Sequence, residues 1–335
     1  MKTYLVTGGF GFIGSNFIRH ILNMRKNAAV INADKLTYAA NPKNLPDYPE
    51  DYKFYKIDIA DKLELAKIFN ENRIDFVVNF AAESHVDRSI AAPGIFVKTN
   101  VEGTLNLLEL SMKHNVEKFL QISTDEAYGS LGAAGKFSEE TPLSPRSPYS
   151  ASKASADMLA MSFFHTYGMP VLISRCSNNY GPYQFPEKLI PLAIINALNN
   201  KDIPLYGDGR NIRDWIYVDD HVDAICLVLE KGKTGEVYNI GGNSEAENAD
   251  IIKFILDKLN KPSSLIKYVK DRPGHDRRYA MDFSKITSET GFMPAYGIEK
   301  GIEKTIDWYI KNENWWKEIL SGNYKEYYKE MYENR

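Results

Sequence analysis

The residues best equipped for proton chemistry lie in two short stretches. The first reads Ser123-Thr124-Asp125-Glu126-Ala127-Tyr128-Gly129 and the second Tyr149-Ser150-Ala151-Ser152-Lys153. Tyr149 and Lys153 are spaced i, i+4, which on a helix puts them on one face. An ammonium beside a phenol favours phenolate and draws its pKa down from about 10. Such a phenolate takes a proton from an alcohol as hydride leaves the same carbon. Asp125 and Glu126 add a second acid–base function. Two neighbouring carboxyls resist double ionisation, so one stays protonated near neutral pH as an acid while the other serves as a base. An ordinary polar turn after a strand is the bland alternative, and the Tyr/Lys spacing close by argues against it. The combination suits oxidation and elimination in one site.

The N-terminus provides for an oxidant. Residues 3–7 read as a short buried strand, followed by Gly8, Gly9, Gly11 and Gly14 and a helical pattern running to Met24. The glycines fit G-x-G-x-x-G from Gly9 and G-x-x-G-x-x-G from Gly8. A strand, glycine turn and helix in this order let the backbone approach a pyrophosphate at the helix N-terminus. A second apolar strand over 29–33 ends in Asp34. An acid there accepts hydrogen bonds from ribose hydroxyls and repels a 2′-phosphate, which points to NAD over NADP. Lys35 beside it pulls the other way.

These groups need a scaffold that gathers them. Strands over 53–57, 76–80, 119–122 and 171–174 alternate with helices over 62–72, 95–114 and 149–167. Repeated βα units with apolar strands predict a doubly wound parallel sheet of Rossmann type, covered by helices on both faces. Ligands bind at the carboxyl ends of such strands, where Gly8, Asp34, Asp58, Ala81 and Thr124 all fall. Val101, Leu105, Leu108 and Met112 are expected on one core-facing stripe of the helix over 95–114. After Arg175 the texture becomes loop-like and the elements shorter. The expectation is an NAD-binding domain over 1–175 and a smaller, mostly helical substrate domain over 176–335. Segments 215–218 and 237–240 are candidates to return to the first domain. The aromatic tail over 315–332 reads as an amphipathic, surface-docked helix.

Composition agrees with an enzyme of small molecules. The 335 residues are 44% hydrophobic, enough for a sizeable core, and a net charge of −3 offers no bulk attraction to nucleic acid or membrane. No apolar stretch approaches the roughly 20 residues of a membrane span, and the N-terminal apolar run is too short for a signal peptide. Cys176 and Cys226 lack metal-like spacing and read as free thiols in a reducing cytoplasm. His85 and His275 find no third ligand at ligand spacing, so no metal is assigned.

From Thr7 to about Ala280 the chain resembles the extended short-chain dehydrogenases/reductases, and within them the dTDP-glucose 4,6-dehydratases. The most specific marker is Ser123-Thr124-Asp125-Glu126; sugar-nucleotide epimerases of the same fold keep the Tyr and Lys but lack the Asp-Glu pair. Residues 178–191 (NNYGPYQFPEKLIP) and 271–279 (DRPGHDRRY) also match. Ala127 stands where valine is usual, and the stretch between Glu126 and Tyr149 is short for the family. Another NAD-dependent sugar-nucleotide 4,6-dehydratase or 4-epimerase, acting on a UDP- or GDP-sugar, is the alternative. Thymine specificity rests on the resemblance alone.

The resemblance implies a route. Tyr149 takes the proton from the sugar 4-hydroxyl as hydride passes to NAD, Lys153 keeps the phenol acidic, and Thr124 polarises the new ketone. Glu126 abstracts the acidified C5 proton, protonated Asp125 donates to the departing 6-hydroxyl, and hydride returns to C6, so NAD stays bound and is regenerated. The product is dTDP-4-dehydro-6-deoxy-D-glucose, a precursor of deoxysugars such as rhamnose. By matching position, Gly8, Gly11, Phe12, Ile13, Gly14, Asp34, Lys35, Leu36, Thr37, Asp58, Ile59, Ala81, Ala82, Ser84, Thr99 and Asn179 join Tyr149 and Lys153 as NAD contacts. Ser84, Thr124, Asn178, Lys188, Leu189, Pro204, Leu205, Tyr206, Arg213, Asn248, Arg272 and His275 are the matching nucleotide-sugar contacts; the cations among them suit a diphosphate. Related enzymes form homodimers by pairing the helices over 95–114 and 149–167 in a four-helix bundle, and Leu107 and Leu110 are expected to widen the apolar surface there.

Overall fold

The computed structural model describes residues 1–24, 27–45, 51–271 and 273–321. The first half runs β1 (Lys2–Thr7), α1 (Phe12–Met24), β2 (Ala28–Asp34), β3 (Tyr52–Lys56), α2 (Lys62–Glu71), β4 (Phe76–Asn79), α3 (Val86–Ala91), α4 (Pro93–Phe96), α5 (Gly103–Lys113), β5 (Lys118–Thr124), α6 (Pro148–Tyr167) and β6 (Val171–Cys176). The second half adds β7 (Asn178–Tyr180), α7 (Leu189–Leu198), β8 (Ile203–Tyr206), β9 (Ile212–Tyr217), α8 (Val218–Lys231), β10 (Val237–Ile240), β11 (Glu245–Glu247), α9 (Asn248–Lys258), β12 (Ile266–Val269), α10 (Ser284–Thr290), α11 (Ile298–Lys311) and α12 (Glu313–Ser321).

Seven strands form one parallel sheet in the order β10-β6-β5-β4-β1-β2-β3. Leu5, Val77, Val78, Phe119, Leu120 and Leu172 on the inner strands are fully buried, because helices cover both faces. On one face Phe17, Ile18 and Ile21 of α1 pack with Val222 and Ile225 of α8. On the other, Leu65 and Ile68 of α2 pack with Leu107 and Leu108 of α5 and Phe163 of α6. Each such side chain contributes about 1.5–3 kcal/mol by leaving water. The strand order reverses between β1 and β4, and the crevice at their carboxyl ends is where such sheets take ligands.

The second half holds its own core around Ile194, Trp215, Ile252, Ile306 and Trp316. It is less purely helical than the sequence suggests, since β11-β9-β7 and β12-β8 make two small sheets. Of the two segments expected to return to the first domain, 237–240 does so as β10, beside β6 in the main sheet. The segment 215–218 joins that domain without entering the sheet: β9 pairs with β7 and β11, while Ile216 and Val218 are buried in the core shared by the main sheet, α1 and α8.

The helix expected over 95–114 is interrupted. Val97–Glu102 winds as a π-helix between α4 and α5. With α2 on one side and α6 on the other, α5 buries Leu107, Leu108 and Leu110. Met112 is exposed, while Val101 and Leu105 are half-buried. The expected stripe and the expected outer residues thus exchange places except at Leu108. Of the tail helix, α12 lies within the described residues; it buries Trp316, and the Trp315 indole donates to Asn44 Oδ1 at 2.9 Å. Residues 322–335 lie outside them. Among the described residues no helix is long and apolar enough to cross a membrane. Cys176 and Cys226 are buried free thiols.

Candidate active site

The carboxyl ends of β1, β2, β4, β5 and β6 surround a cavity of about 320 Å³. The glycine turn forms its floor. Gly8 takes φ +67°, and a Cβ there would come within 2.8 Å of the Ala81 nitrogen across the switch point. A Cβ on Gly14 would lie 2.4 Å from the Gly8 carbonyl oxygen. On Gly11 it would meet only that oxygen, at 3.1 Å, so this glycine is bare toward the cavity. Asp34, at the end of β2, accepts from the Phe10 amide at 2.9 Å and the Leu36 amide at 2.8 Å. Burial raises its pKa against those two bonds. Lys35 pairs with Asp58 at 2.7 Å rather than with Asp34. A backbone cradle that admits no side chain, ending in a buried acid with oxygens on its rim, fits a dinucleotide lacking a 2′-phosphate.

The proton-handling groups occupy the opposite wall. β5 delivers Thr124, and a short 3-10 turn presents Asp125 and Glu126. α6 starts at Ser147, whose hydroxyl accepts from the Ser150 amide with Pro148 in the first turn; this cap fixes where Tyr149 and Lys153 emerge. The buried ion pair of Asp157 with Arg175 (2.9 Å) ties α6 to β6, and Ser123 donates to the same carboxylate. Thr124 donates to Asp125 Oδ1 at 3.2 Å and lines the cavity together with Tyr149. Asp125 is 2% exposed and its Oδ2 has no partner among the described residues. Burial pushes its pKa well above the usual range, and the Glu126 charge adds to this. Asp214 on β9 contributes in the same direction. It is itself pushed up to about 6 by burial, although its Oδ1 accepts from the Ser244 amide at 2.8 Å.

The expected lowering of the Tyr149 pKa does not appear. Burial, then the Glu126 charge, raises the phenol well above 10. Lys153 Nζ instead donates to the Ile122 carbonyl at 2.6 Å, and burial lowers its own pKa against the pull of Asp157. The i, i+4 spacing brings both side chains to the cavity, but the ammonium has found a carbonyl rather than the phenol.

Every expected NAD-contact position except Leu36 lines the cavity. Leu36 holds a left-handed turn at φ +58° and packs into the core with its amide on Asp34. Of the expected sugar-nucleotide residues, Ser84, Thr124, Asn178 and Lys188 line it. Asn178 Oδ1 has no partner among the described residues, and Lys188 Nζ donates to the Ser84 carbonyl at 3.4 Å. Leu189, Pro204, Leu205, Tyr206, Arg213, Asn248 and His275 stand outside the cavity wall. Leu205 is buried in the second core. Arg213 is 4% exposed; its guanidinium donates to the Ile212 and Asp276 carbonyls, each at 2.8 Å, and lies over the Tyr279 ring. His275 is 2.6 Å from Asp271 and edge-on to Tyr206. The Asn248 amide donates to Asn211, which in turn holds the Asp276 carbonyl. Tyr206, Arg213, Asn248 and His275 therefore gather around the segment 273–279, beside the cavity. Arg272 lies outside the described residues.

Sequence reasoning missed Glu83, Cys176, Gln184, Phe185 and Glu187 on the cavity wall. Glu83 and Glu187 each adjoin an expected contact, so adjacency was the available signal. Among the described residues no group of three His, Cys, Asp or Glu side chains is arranged to hold a metal ion.

The family model described as GDP-mannose 4,6 dehydratase matches residues 5–305. A dTDP-glucose 4,6-dehydratase of Xanthomonas campestris pv. campestris is 50% identical, over 97% of this chain and 98% of that protein. One from Escherichia coli (strain K12) is 48% identical over 99% of both. A crystal structure of the Bacillus anthracis dTDP-glucose 4,6-dehydratase in complex with NAD superposes with a TM-score of 0.89 at 50% identity, covering 95% of this chain and all of that one. A Streptomyces venezuelae dTDP-glucose 4,6-dehydratase with NAD and TYD bound gives 0.91 at 45% identity, covering 95% and 99%. A UDP-glucose 4-epimerase of Thermotoga maritima shares the fold at 0.87 but only 31% identity, over 93% and 99%. Identity near one half along the whole length, together with an Asp-Glu pair seated where the cavity meets Tyr149, makes the chain a member of the dTDP-glucose 4,6-dehydratase family.

Proposed function

We propose that this chain is an NAD-dependent hydro-lyase that converts dTDP-D-glucose into dTDP-4-dehydro-6-deoxy-D-glucose and water. The observation that carries the reading is Asp125: a buried carboxyl whose pKa is raised by burial and by the charge of Glu126, with one oxygen unpartnered among the described residues, beside Thr124 on the wall that Tyr149 shares. Such a pair offers an acid and a base within one turn of chain, which simple epimerisation does not need.

The glycine turn, Asp34 and Thr99 would hold NAD, which when bound supplies a hydride acceptor toward C4 and a donor toward C6. Tyr149, ionised, takes the proton of the 4-hydroxyl as hydride leaves C4, and Thr124 hydrogen-bonds the 4-oxygen. Once C4 is a ketone, its α-proton on C5 is acidified and Glu126 removes it. Asp125 donates its proton to the leaving 6-hydroxyl, and Glu126 returns a proton to C5. Ser84, Asn178 and Lys188 would hold the sugar-phosphate end, while Tyr206, Arg213, Asn248, Arg272 and His275 would serve the nucleotide beyond the cavity. The role of Arg213 in this reading requires its guanidinium to give up carbonyls for phosphate.

The proposal extends to a cytoplasmic homodimer built on α5 and α6, with Val101, Leu105, Met112 and Met158 in place of Leu107 and Leu110 as its apolar contacts. It also assigns residues 1–175, with the returning strand β10, to NAD and the remainder to the nucleotide sugar. Incubation with dTDP-glucose, UDP-glucose and GDP-mannose, followed by mass spectrometry and NMR, tests it. Loss of one water from dTDP-glucose alone is expected; an inverted C4 or a preference for another nucleotide refutes it.

A further inference from the structure

The segment that follows β2 crosses the cavity before the chain turns back toward β3. Lys35, Thr37, Ala39 and Ala40 all face the cavity from this side. The segment's far end is anchored to the first half, since the Asn41 amide and the Asn44 side chain both donate to the Phe10 carbonyl at 3.0 Å. Its middle is anchored elsewhere. The Tyr38 hydroxyl donates to Oε1 of Glu187 at 3.1 Å, just ahead of α7. The Arg88 guanidinium of α3 lies 3.5 Å from the centre of the Tyr38 ring, and Phe185 meets the ring edge-on at 5.5 Å. Glu187 is 5% exposed and lines the same cavity. One side chain thus ties the segment over the dinucleotide cradle to two elements across the crevice, and none of its bonds belongs to the proton chemistry.

We propose that Tyr38 is a positioning residue for the cofactor: it clasps residues 35–40 over the dinucleotide cradle and slows NAD release. The inference rests on the reading that this cradle holds NAD. A cofactor that is regenerated in each cycle has no reason to leave, and a clasp made by a hydrogen bond and a cation–π contact is a local device for keeping it. Leu36 and Ala40 pack against the core at either side of Tyr38, so the Tyr38 contacts fix the stretch between them across the crevice.

The test measures NAD retention. Wild type, Tyr38→Phe, Tyr38→Ala, Glu187→Leu and Glu187→Gln are loaded with NAD, passed into buffer containing an NAD scavenger, and the protein-bound NAD is quantified by mass spectrometry over time. Thermal melts of the same samples report the fold. Losing the hydrogen bond alone, in Tyr38→Phe, is expected to speed release about five-fold, and Glu187→Leu, which also removes a carboxylate 3.8 Å from His85, at least as much. Tyr38→Ala, which also loses the ring contacts, is expected to speed it about ten-fold or more. Glu187→Gln keeps an acceptor for the hydroxyl and should release at close to the wild-type rate. A merely structural role would lower the melting temperature without this ordering. Equal release rates in wild type and Tyr38→Phe overturn the inference even if Tyr38→Ala does not fold. A wild-type protein that holds no NAD overturns the reading of the cradle itself.

Discussion

Replacing Asp214 by Asn gives a prediction whose size follows from the structure. Asp214 is buried between Ser244 and the Asp125 side of the cavity, and its pKa is pushed from 3.8 to about 6. The unfolded chain ionises this carboxyl near pH 4, whereas the folded chain resists until about pH 6. Folding is therefore relatively favoured below pH 4, and that advantage is lost as pH rises through 6. At about 1.4 kcal/mol per pKa unit, the full difference is about 3 kcal/mol above pH 7. About half of it develops between pH 5 and 7.5. With an unfolding entropy of about 2.1 cal/mol/K per residue, that half corresponds to about 2 °C. An amide at this position does not titrate. Whatever constant offset Asp214→Asn brings, its melting temperature relative to wild type should rise by about 2 °C from pH 5 to 7.5. Scanning fluorimetry across that range in one buffer system measures it. The variant also removes a charge that raises the Asp125 pKa, so the alkaline limb of kcat should move to lower pH. A melting difference flat across the range would refute the argument that burial holds Asp214 partly protonated.

The assigned order of chemistry is open to rapid mixing. Glu126→Gln should slow elimination by about 10²–10⁴-fold and let reduced nicotinamide absorbance build up on addition of dTDP-glucose, whereas Tyr149→Phe should suppress that signal. Because the Glu126 charge raises the Tyr149 phenol, the pH dependence of this first step should move to lower pH in Glu126→Gln; an unshifted profile counts against the electrostatic link. Gly14→Ala would set a Cβ 2.4 Å from the Gly8 carbonyl oxygen, so it should lose NAD binding by calorimetry while wild type retains it. Light scattering at micromolar concentration should give the mass of a dimer, and Met158→Glu on the outer face of α6 should shift it toward monomer with little change in melting temperature.

What was legible in the sequence was local. The glycine turn, Asp34, the Ser123–Glu126 run and the Tyr149/Lys153 pair are fixed by spacings of a few residues, and each lands on the cavity. What was not legible depended on partners far along the chain. Lys153 could be placed beside Tyr149 by helix periodicity, but only the fold shows that its ammonium is taken by the Ile122 carbonyl. Arg213 read as a phosphate ligand, yet its guanidinium is occupied by the Ile212 carbonyl of β9 and the Asp276 carbonyl of the segment beside it. Tyr38 and Glu187 carry no motif, and their contact joins residues 149 apart. The two faces of α5 were exchanged because leucines stand on both of them, and only the packing of α2 and α6 shows which face is covered.

The π-helical stretch ahead of α5 has a consequence for how this site tolerates change over time. In the wider winding of Val97–Glu102, the Gly103 amide bonds back to Lys98 rather than to Thr99. The extra residue lets neighbouring Thr99 and Asn100 both point inward: Thr99 toward the cavity, Asn100 to both backbone groups of Glu83 and to Ser152 of α6. Losing one residue here would restore ordinary winding and turn everything upstream by about 100° around the axis. Point substitutions at solvent-facing Val97, Lys98 or Glu102 leave that geometry intact. The chain length of this turn is therefore under tighter constraint than most of its residue identities, and a lineage can drift in composition across it while remaining unable to gain or drop a single codon.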